Sequence, residues 1–182
     1  DERDAAVTTT IAQAIAREIK DGESLLIDSG STTMYVAEAL RGHRNLTVVT
    51  ISAPIAQMLA SGEGNRVFLA GGEVRADDCA AYGPACLAYL GQFSAETAII
   101  SAAAISRDFG VMDHHMCEVE VCRVLVARAE RVIVATDHSK FAAKGLIAAC
   151  PLAELDLIVT DAAPPPEMSA TLEAADVELL IA

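Results

Sequence analysis

The feature that most constrains this chain is an alternation of two patterns. Short unbroken apolar runs, such as Leu25-Leu26-Ile27, Val132-Ile133-Val134-Ala135 and Leu157-Ile158-Val159, are separated by longer segments. In those segments the apolar positions recur at helical spacing. A strand that is apolar at every position is covered on both faces, as parallel strands are, and parallel strands need a crossover between them. The pattern predicts an α/β fold: an open, mostly parallel sheet flanked by helices on both faces. Val7, Ile11, Ile15 and Ile19 recur every four residues and predict an opening helix that stops near Gly22. Further helices are expected over 33–40, 53–59, 82–90 and 118–130, with a short one after Pro164-Pro165-Pro166. Strands are expected over 24–27, 46–50, 67–70, 97–103, 132–135, 155–159 and 177–181.

Enough apolar material is present to fill such a core, since 53% of the 182 residues are hydrophobic. The length suits one domain with an N-terminal appendage, divided here into a helix over 1–20 and a domain over 21–182. Acidic residues outnumber basic ones by 26 to 13, a formal charge of −13. Phosphate backbones and anionic lipid surfaces repel such a chain, so neither nucleic acid nor membrane is expected to bind it directly. No apolar run reaches the roughly 20 residues that span a bilayer, and the start, Asp1-Glu2-Arg3-Asp4, leads into no secretory signal. Cys79, Cys86, Cys117, Cys122 and Cys150 are odd in number and hold no Cys-x-x-Cys pair, which reads as reduced thiols in a cytoplasmic protein.

Ligands of open parallel sheets lie beyond the carboxyl ends of the strands. At that rim the first strand delivers Asp28-Ser29-Gly30-Ser31-Thr32-Thr33, the second Thr50-Ile51-Ser52, and the third Gly71-Gly72. The run over 132–135 delivers Thr136-Asp137-His138-Ser139-Lys140. Residues 29–33 read as an anion cradle: Gly30 admits a ligand close to the backbone, and hydroxyls and helix N–H groups donate to it. The same residues read equally as a helix N-cap. Lys140 reads as the cation for a phosphate or as a solvated surface lysine, and Asp137 as a partner of sugar hydroxyls or as a cap. A Walker loop is missing, which argues against a nucleoside triphosphate.

Met112-Asp113-His114-His115-Met116-Cys117-Glu118 is the one run of metal-type ligands. Adjacent side chains diverge and no second cluster completes a shell, so no metal and no other cofactor is expected. His114, His115 or Glu118 then read as hydrogen-bonding partners of a polar ligand, or as part of an exposed turn. A nucleophilic triad has no Gly-x-Ser-x-Gly elbow to sit in.

Together these segments resemble the C-terminal sensor domain of DeoR-family transcriptional repressors. Ile27-Asp28-Ser29-Gly30-Ser31-Thr32-Thr33 is similar to that family's Asp-Ser-Gly-Thr-Thr-Thr segment, and Gly71-Gly72-Glu73-Val74-Arg75 to its Gly-Gly-x-x-Arg. Glu118 with Arg123 resembles its Glu-x-x-x-Lys-Arg, Asp137-His138-Ser139-Lys140-Phe141 its Asp-x-Ser-Lys-Phe, and Ile158-Val159-Thr160-Asp161 its late Ile-Thr-Asp. The resemblance implies a fold related to ribose-5-phosphate isomerase and the CoA transferases, without catalysis, and a phosphorylated sugar as effector. It implies phosphate contacts from 29–33 and Lys140, with Gly71, Gly72, Glu118 and Asp137 along the sugar. It further implies a homo-oligomer that meets operator DNA through an N-terminal winged helix-turn-helix not included in this sequence. Ile51, Ala104 and Cys122 depart from the family pattern, which has Asn, Gly and Lys there. The alternative is a sugar-phosphate isomerase with Asp28, Asp137 or Glu118 as base, although the Lys-Gly-Gly-Gly segment of ribose-5-phosphate isomerases is missing.

Overall fold

The computed structural model describes residues 2–182. The chain opens with α1 (Glu2–Glu18), β1 (Ser24–Ile27), α2 (Ser31–Ala39), β2 (Thr47–Thr50), α3 (Ala53–Ala60) and β3 (Arg66–Leu69). A hairpin of β4 (Glu73–Arg75) and β5 (Ala80–Tyr82) follows, then α4 (Pro84–Leu90), β6 (Ala95–Ser101), β7 (Ala104–Ser106) and β8 (Gly110–Asp113). The remainder is α5 (Met116–Ala127), β9 (Ala129–Ala135), β10 (Ile147–Cys150), β11 (Leu157–Thr160), α6 (Pro166–Ala174) and β12 (Glu178–Ile181).

Seven strands form the main sheet in the order β12-β11-β9-β6-β1-β2-β3, and every neighbouring pair is parallel. The strand order reverses around β1, which places the ends of β1, β2 and β6 at the crevice where open sheets bind ligands. Alternate residues of each strand feed two separate cores. Leu25, Ile27, Val48, Ile99, Ile133 and Val159 pack under α1, α2 and α3, while Leu26, Val49, Ile100, Val134 and Ile158 pack under α4, α5 and α6. Both faces are covered, as the unbroken apolar runs require.

The predicted isoleucine stripe of α1 is the inward face of that helix. Ile11 and Ile15 are buried, as is Ile19 just past the end of α1, and each contributes on the order of 1.5–3 kcal/mol of transfer free energy. The helix shares its core with β1, β6 and β9, so it packs as part of the sheet's own layer.

The helix expected over 118–130 ends at Ala127. The β6–β9 ladder runs from Ala95↔Ala129 to Ser101↔Ala135 and draws residues 129–131 into a strand. Two antiparallel pieces supplement the main sheet: the β4–β5 hairpin and a three-stranded sheet of order β10-β8-β7. No helix among the described residues is long and apolar enough to cross a membrane.

Candidate functional site

β1 ends at Ile27 in the middle of the sheet, so Asp28 emerges at the rim between β2 and β6. The backbone N–H and the hydroxyl of Ser101, the last residue of β6, both donate to Asp28 Oδ2, at 2.8 and 3.1 Å. Asp28 Oδ1 is buried and has no partner among the described residues. Burial outweighs the two Ser101 hydrogen bonds and raises the Asp28 pKa to about 7. Gly30 is needed here for space, because a Cβ would lie 2.9 Å from Ser101 Oγ.

Gly30 is the N-cap of α2, and no side chain caps that helix. The Thr33 hydroxyl instead donates backward to Gly30 O at 3.1 Å, and the Ser29 hydroxyl to Asp78 Oδ2 at 3.2 Å. The serines and threonines of 29–33 therefore leave the N–H groups of the first turn uncovered, and the N-cap alternative is not realised.

Asp28, Ser29, Gly30, Ser31 and Thr32 line a cavity of about 220 Å³ with Lys140, Ile51, Tyr82, Ser101, Asp113, Glu118 and Cys122. Pockets for drug-sized ligands run from ~300 to 1,000 Å³, so this one suits a small metabolite. The Lys140 backbone N–H donates to Asp137 O at 3.2 Å, while its ammonium has no hydrogen-bond or ion-pair partner among the described residues.

The far wall is an ionic network built on the hairpin. Arg75 Nη2 donates to Asp78 Oδ2 at 2.6 Å, to Glu118 Oε1 at 2.7 Å and to Tyr82 Oη at 3.0 Å. Tyr82 donates to Asp78 at 2.7 Å, and its ring lies under the guanidinium, 4.6 Å from centroid to Cζ. Burial opposes the Asp78 charge, but hydrogen bonds from Arg75 and Tyr82 prevail and hold its pKa at about 2. Asp113 and Glu118 share a hydrogen bond. Burial and that bond push Asp113 well above the usual carboxylate range. Glu118, although also partly buried, is held low by Asp113 and Arg75.

The structure thus brings together Asp28, Ser29, Gly30, Ser31, Thr32, Glu118 and Lys140 of the predicted residues. Thr33, Thr50 and Ser52 are buried in supporting roles. Thr50 Oγ1 accepts from Ser52 N–H, and Ser52 Oγ caps α3 by accepting from Ile55 N–H. Gly71 and Gly72 turn the chain into the hairpin, where Gly72 (φ +148°) passes so close to Tyr82 O that a Cβ would lie 2.9 Å from it. Asp137 caps the turn at His138–Phe141, accepting from the N–H and hydroxyl of Ser139, outside the cavity.

His114 and His115 are exposed, Cys117 Sγ lies 3.9 Å from Arg75 Nη1, and no three metal-type ligands converge among the described residues. The five cysteines are free, with Cys86, Cys122 and Cys150 buried.

Ser101, Tyr82 and Asp78 are cavity or wall residues that sequence reasoning did not single out, and Asp113 entered only within the run of metal-type ligands. Their one sequence signal is polarity directly after an apolar stretch, which Ser101 after Ala98-Ile99-Ile100 and Asp113 after Val111-Met112 both show.

Comparison with known proteins gives this arrangement a context. Residues 5–162 match the DeoR C-terminal sensor domain. The chain is 34% identical over 155 residues to the glycerol-3-phosphate regulon repressor of Escherichia coli K12, covering 85% of this chain and 62% of that protein. It is 32% identical over 157 residues to the transcriptional repressor AccR of Agrobacterium fabrum, covering 86% and 61%. The chain therefore spans about three-fifths of the length of these relatives. Among solved structures, ribose 5-phosphate isomerase A of Methanocaldococcus jannaschii superposes with a TM-score of 0.53 at 12% identity, over 75% of this chain and 54% of that one. The eIF2B β subunit of Chaetomium thermophilum superposes at 0.54 with 16% identity, over 82% and 47%. At those identities the likeness is one of fold.

Proposed function

Because this chain belongs to the DeoR C-terminal sensor domain family, we propose that it is the effector-binding part of a transcriptional repressor, and that its effector is a small phosphorylated sugar or polyol. The phosphate sits at the uncapped N-terminus of α2, held by N–H groups of the first turn, hydroxyls of Ser29, Ser31 and Thr32, and Lys140. The rest of the effector extends toward Asp28, Asp113 and Glu118. The observation that carries this reading is the pairing of an uncapped helix start with an unpartnered lysine across one small cavity.

The domain regulates and does not turn its ligand over. Its relatives are named as repressors, one of them for a regulon of a phosphorylated polyol. Control of DNA runs through linkage: the effector must bind one arrangement of the protein more tightly than another, or it shifts nothing. The DNA contact belongs to an N-terminal helix-turn-helix outside this sequence, and a two-fold oligomer matches palindromic operators.

A thermal-shift panel of sugar and polyol phosphates, each beside its free sugar and inorganic phosphate, tests the reading. A ligand at 100 times its Kd adds about 2.7 kcal/mol, or roughly 5–10 °C for a domain of this size. A selective hit recovered chemically unchanged supports a sensor. A hit that is consumed supports an enzyme, and no hit removes the phosphate cradle.

A further inference from the structure

The cavity beside the start of α2 is lined by three carboxyl groups from separate elements, Asp28 after β1, Asp113 at the end of β8 and Glu118 in α5. Two cations stand against them. Lys140 lines the cavity, and Arg75 divides its charge between Glu118 at 2.7 Å and Asp78 at 2.6 Å. With every carboxyl ionised, negative charges would outnumber positive ones and oppose an anionic ligand. Asp28 and Asp113 are placed to avoid that state. The Asp28 carboxyl is buried: Ser101 gives both of its donors to one oxygen, at 2.8 and 3.1 Å, and the other oxygen is shut away without a donor. From neighbouring elements it faces Thr33 of α2, Asp113 of β8 and Cys122 of α5, none of them a cation. Burial without a counterion favours the protonated acid. Asp113 meets Glu118 carboxyl to carboxyl, and a hydrogen bond between two carboxyls requires a proton. Arg75 holds the charge on Glu118, so that proton belongs to Asp113. The other groups at this pair are His115 and the His114 N–H, which donates to Asp113 Oδ1 at 3.0 Å.

We propose that the cavity binds its phosphorylated effector together with protons held on Asp28 and Asp113, so that the sensor grips the effector less tightly as pH rises. Such linkage rests on the phosphate reading above and adds a regulatory input to it. An anion drawn to the start of α2 and to Lys140 raises the cost of charge on both nearby carboxyls. Each therefore holds its proton harder in the complex than in the free chain. Below about pH 6 both carboxyls are already protonated, binding takes up no proton through them, and affinity is at its fullest. As pH rises through about 7, where burial has brought Asp28, binding must first return the proton, and affinity falls. Asp113, raised by burial and by Glu118, acts in the same direction.

Calorimetric titration with glycerol 3-phosphate and with glucose 6-phosphate, in buffers of low and high ionisation enthalpy, reads the linkage. At about pH 7.5 the difference in heat between buffers counts the protons taken up. A phosphate ester has a second pKa near about 6 of its own, so each variant is compared with wild type on the same ester. Wild type is expected to take up more protons per effector bound than Asp28→Asn or Asp113→Asn, each of which keeps the shape and removes one titrating group. Between about pH 6.5 and 8, wild-type affinity is expected to fall about threefold or more relative to each variant, a full proton being worth about tenfold per pH unit. Should one variant fail to fold, the other carries the comparison. Proton uptake equal in wild type and the variants, or a wild-type pH profile that parallels theirs, overturns the proposal and leaves the phosphate cradle standing. Failure of both esters to bind defeats the phosphate reading, and the proton linkage with it.

Discussion

Ser101 uses both of its donors on one oxygen of Asp28, at 2.8 and 3.1 Å, and leaves the other oxygen buried and unpaired. That division ties the end of β6 to the end of β1 and leaves a carboxyl oxygen shut away from solvent. It has a consequence for stability that can be measured without any ligand.

Asp28 has a raised pKa of about 7, so the folded chain holds its proton more tightly than the unfolded chain does. Its contribution to stability is complete below the ordinary carboxylate pKa and is lost as pH rises through about 7. Asp28→Asn keeps an acceptor for Ser101 and removes the titration. Melting curves at pH 5, 6, 7 and 8 are expected to show the variant gaining on wild type as pH rises. A difference that stays constant across that range contradicts the assignment.

Gly30 is required by the same contact. Gly30→Ala brings a Cβ to 2.9 Å from Ser101 Oγ, and the expected result is a loss of stability together with weaker binding of phosphate esters. Adding Ser101→Ala removes the obstructing hydroxyl. Thermal unfolding of the double variant should therefore show recovery, a coupling that independent sites would not give.

The Lys140 ammonium has no partner among the described residues, so Lys140→Ala is expected to change stability by no more than about 0.5 kcal/mol. Its effect falls on the ligand. Loss of one charge-assisted hydrogen bond to phosphate, about 1.5–3 kcal/mol, weakens binding on the order of 10- to 100-fold in a calorimetric titration.

Arg75 grips Asp78 with two nitrogens, Nε to Oδ1 at 3.2 Å and Nη2 to Oδ2 at 2.6 Å, while also reaching Glu118, and a lysine lacks the planar fork for that bidentate contact. Arg75→Ala strands the carboxylates of Asp78 and Glu118 in a partly buried wall. About 2 kcal/mol of destabilisation is expected after allowance for solvent, and Arg75→Lys should recover less than half of it. Chemical denaturation of the three proteins gives the comparison directly.

The main sheet was legible because each of its strands declares itself. Leu25-Leu26-Ile27 and Leu157-Ile158-Val159 carry no polar residue, which only a doubly covered strand tolerates. The rim loops followed from that, and they delivered Asp28 to Thr32 and Lys140 to one cavity. The hairpin of β4 and β5 and the small sheet of β7, β8 and β10 were not legible, since strands of three or four residues show no usable period. Asp78 and Asp113 therefore had no recognisable element to place them. Arg75 entered only through the family resemblance, yet it holds the wall of the cavity together by contacts 3, 7 and 43 residues away in sequence.

Phosphate recognition at the start of α2 is what makes this domain a sensor of phosphorylated effectors. The most direct measurement is calorimetric titration of the wild-type chain and of Lys140→Ala with glycerol 3-phosphate, glucose 6-phosphate and glucosamine 6-phosphate, each set against its dephosphorylated counterpart. The expected result is saturable binding of at least one phosphate ester, none of its free polyol or sugar, and a loss of at least about tenfold in Lys140→Ala. Binding that ignores the phosphate or survives the loss of Lys140 unchanged would contradict it.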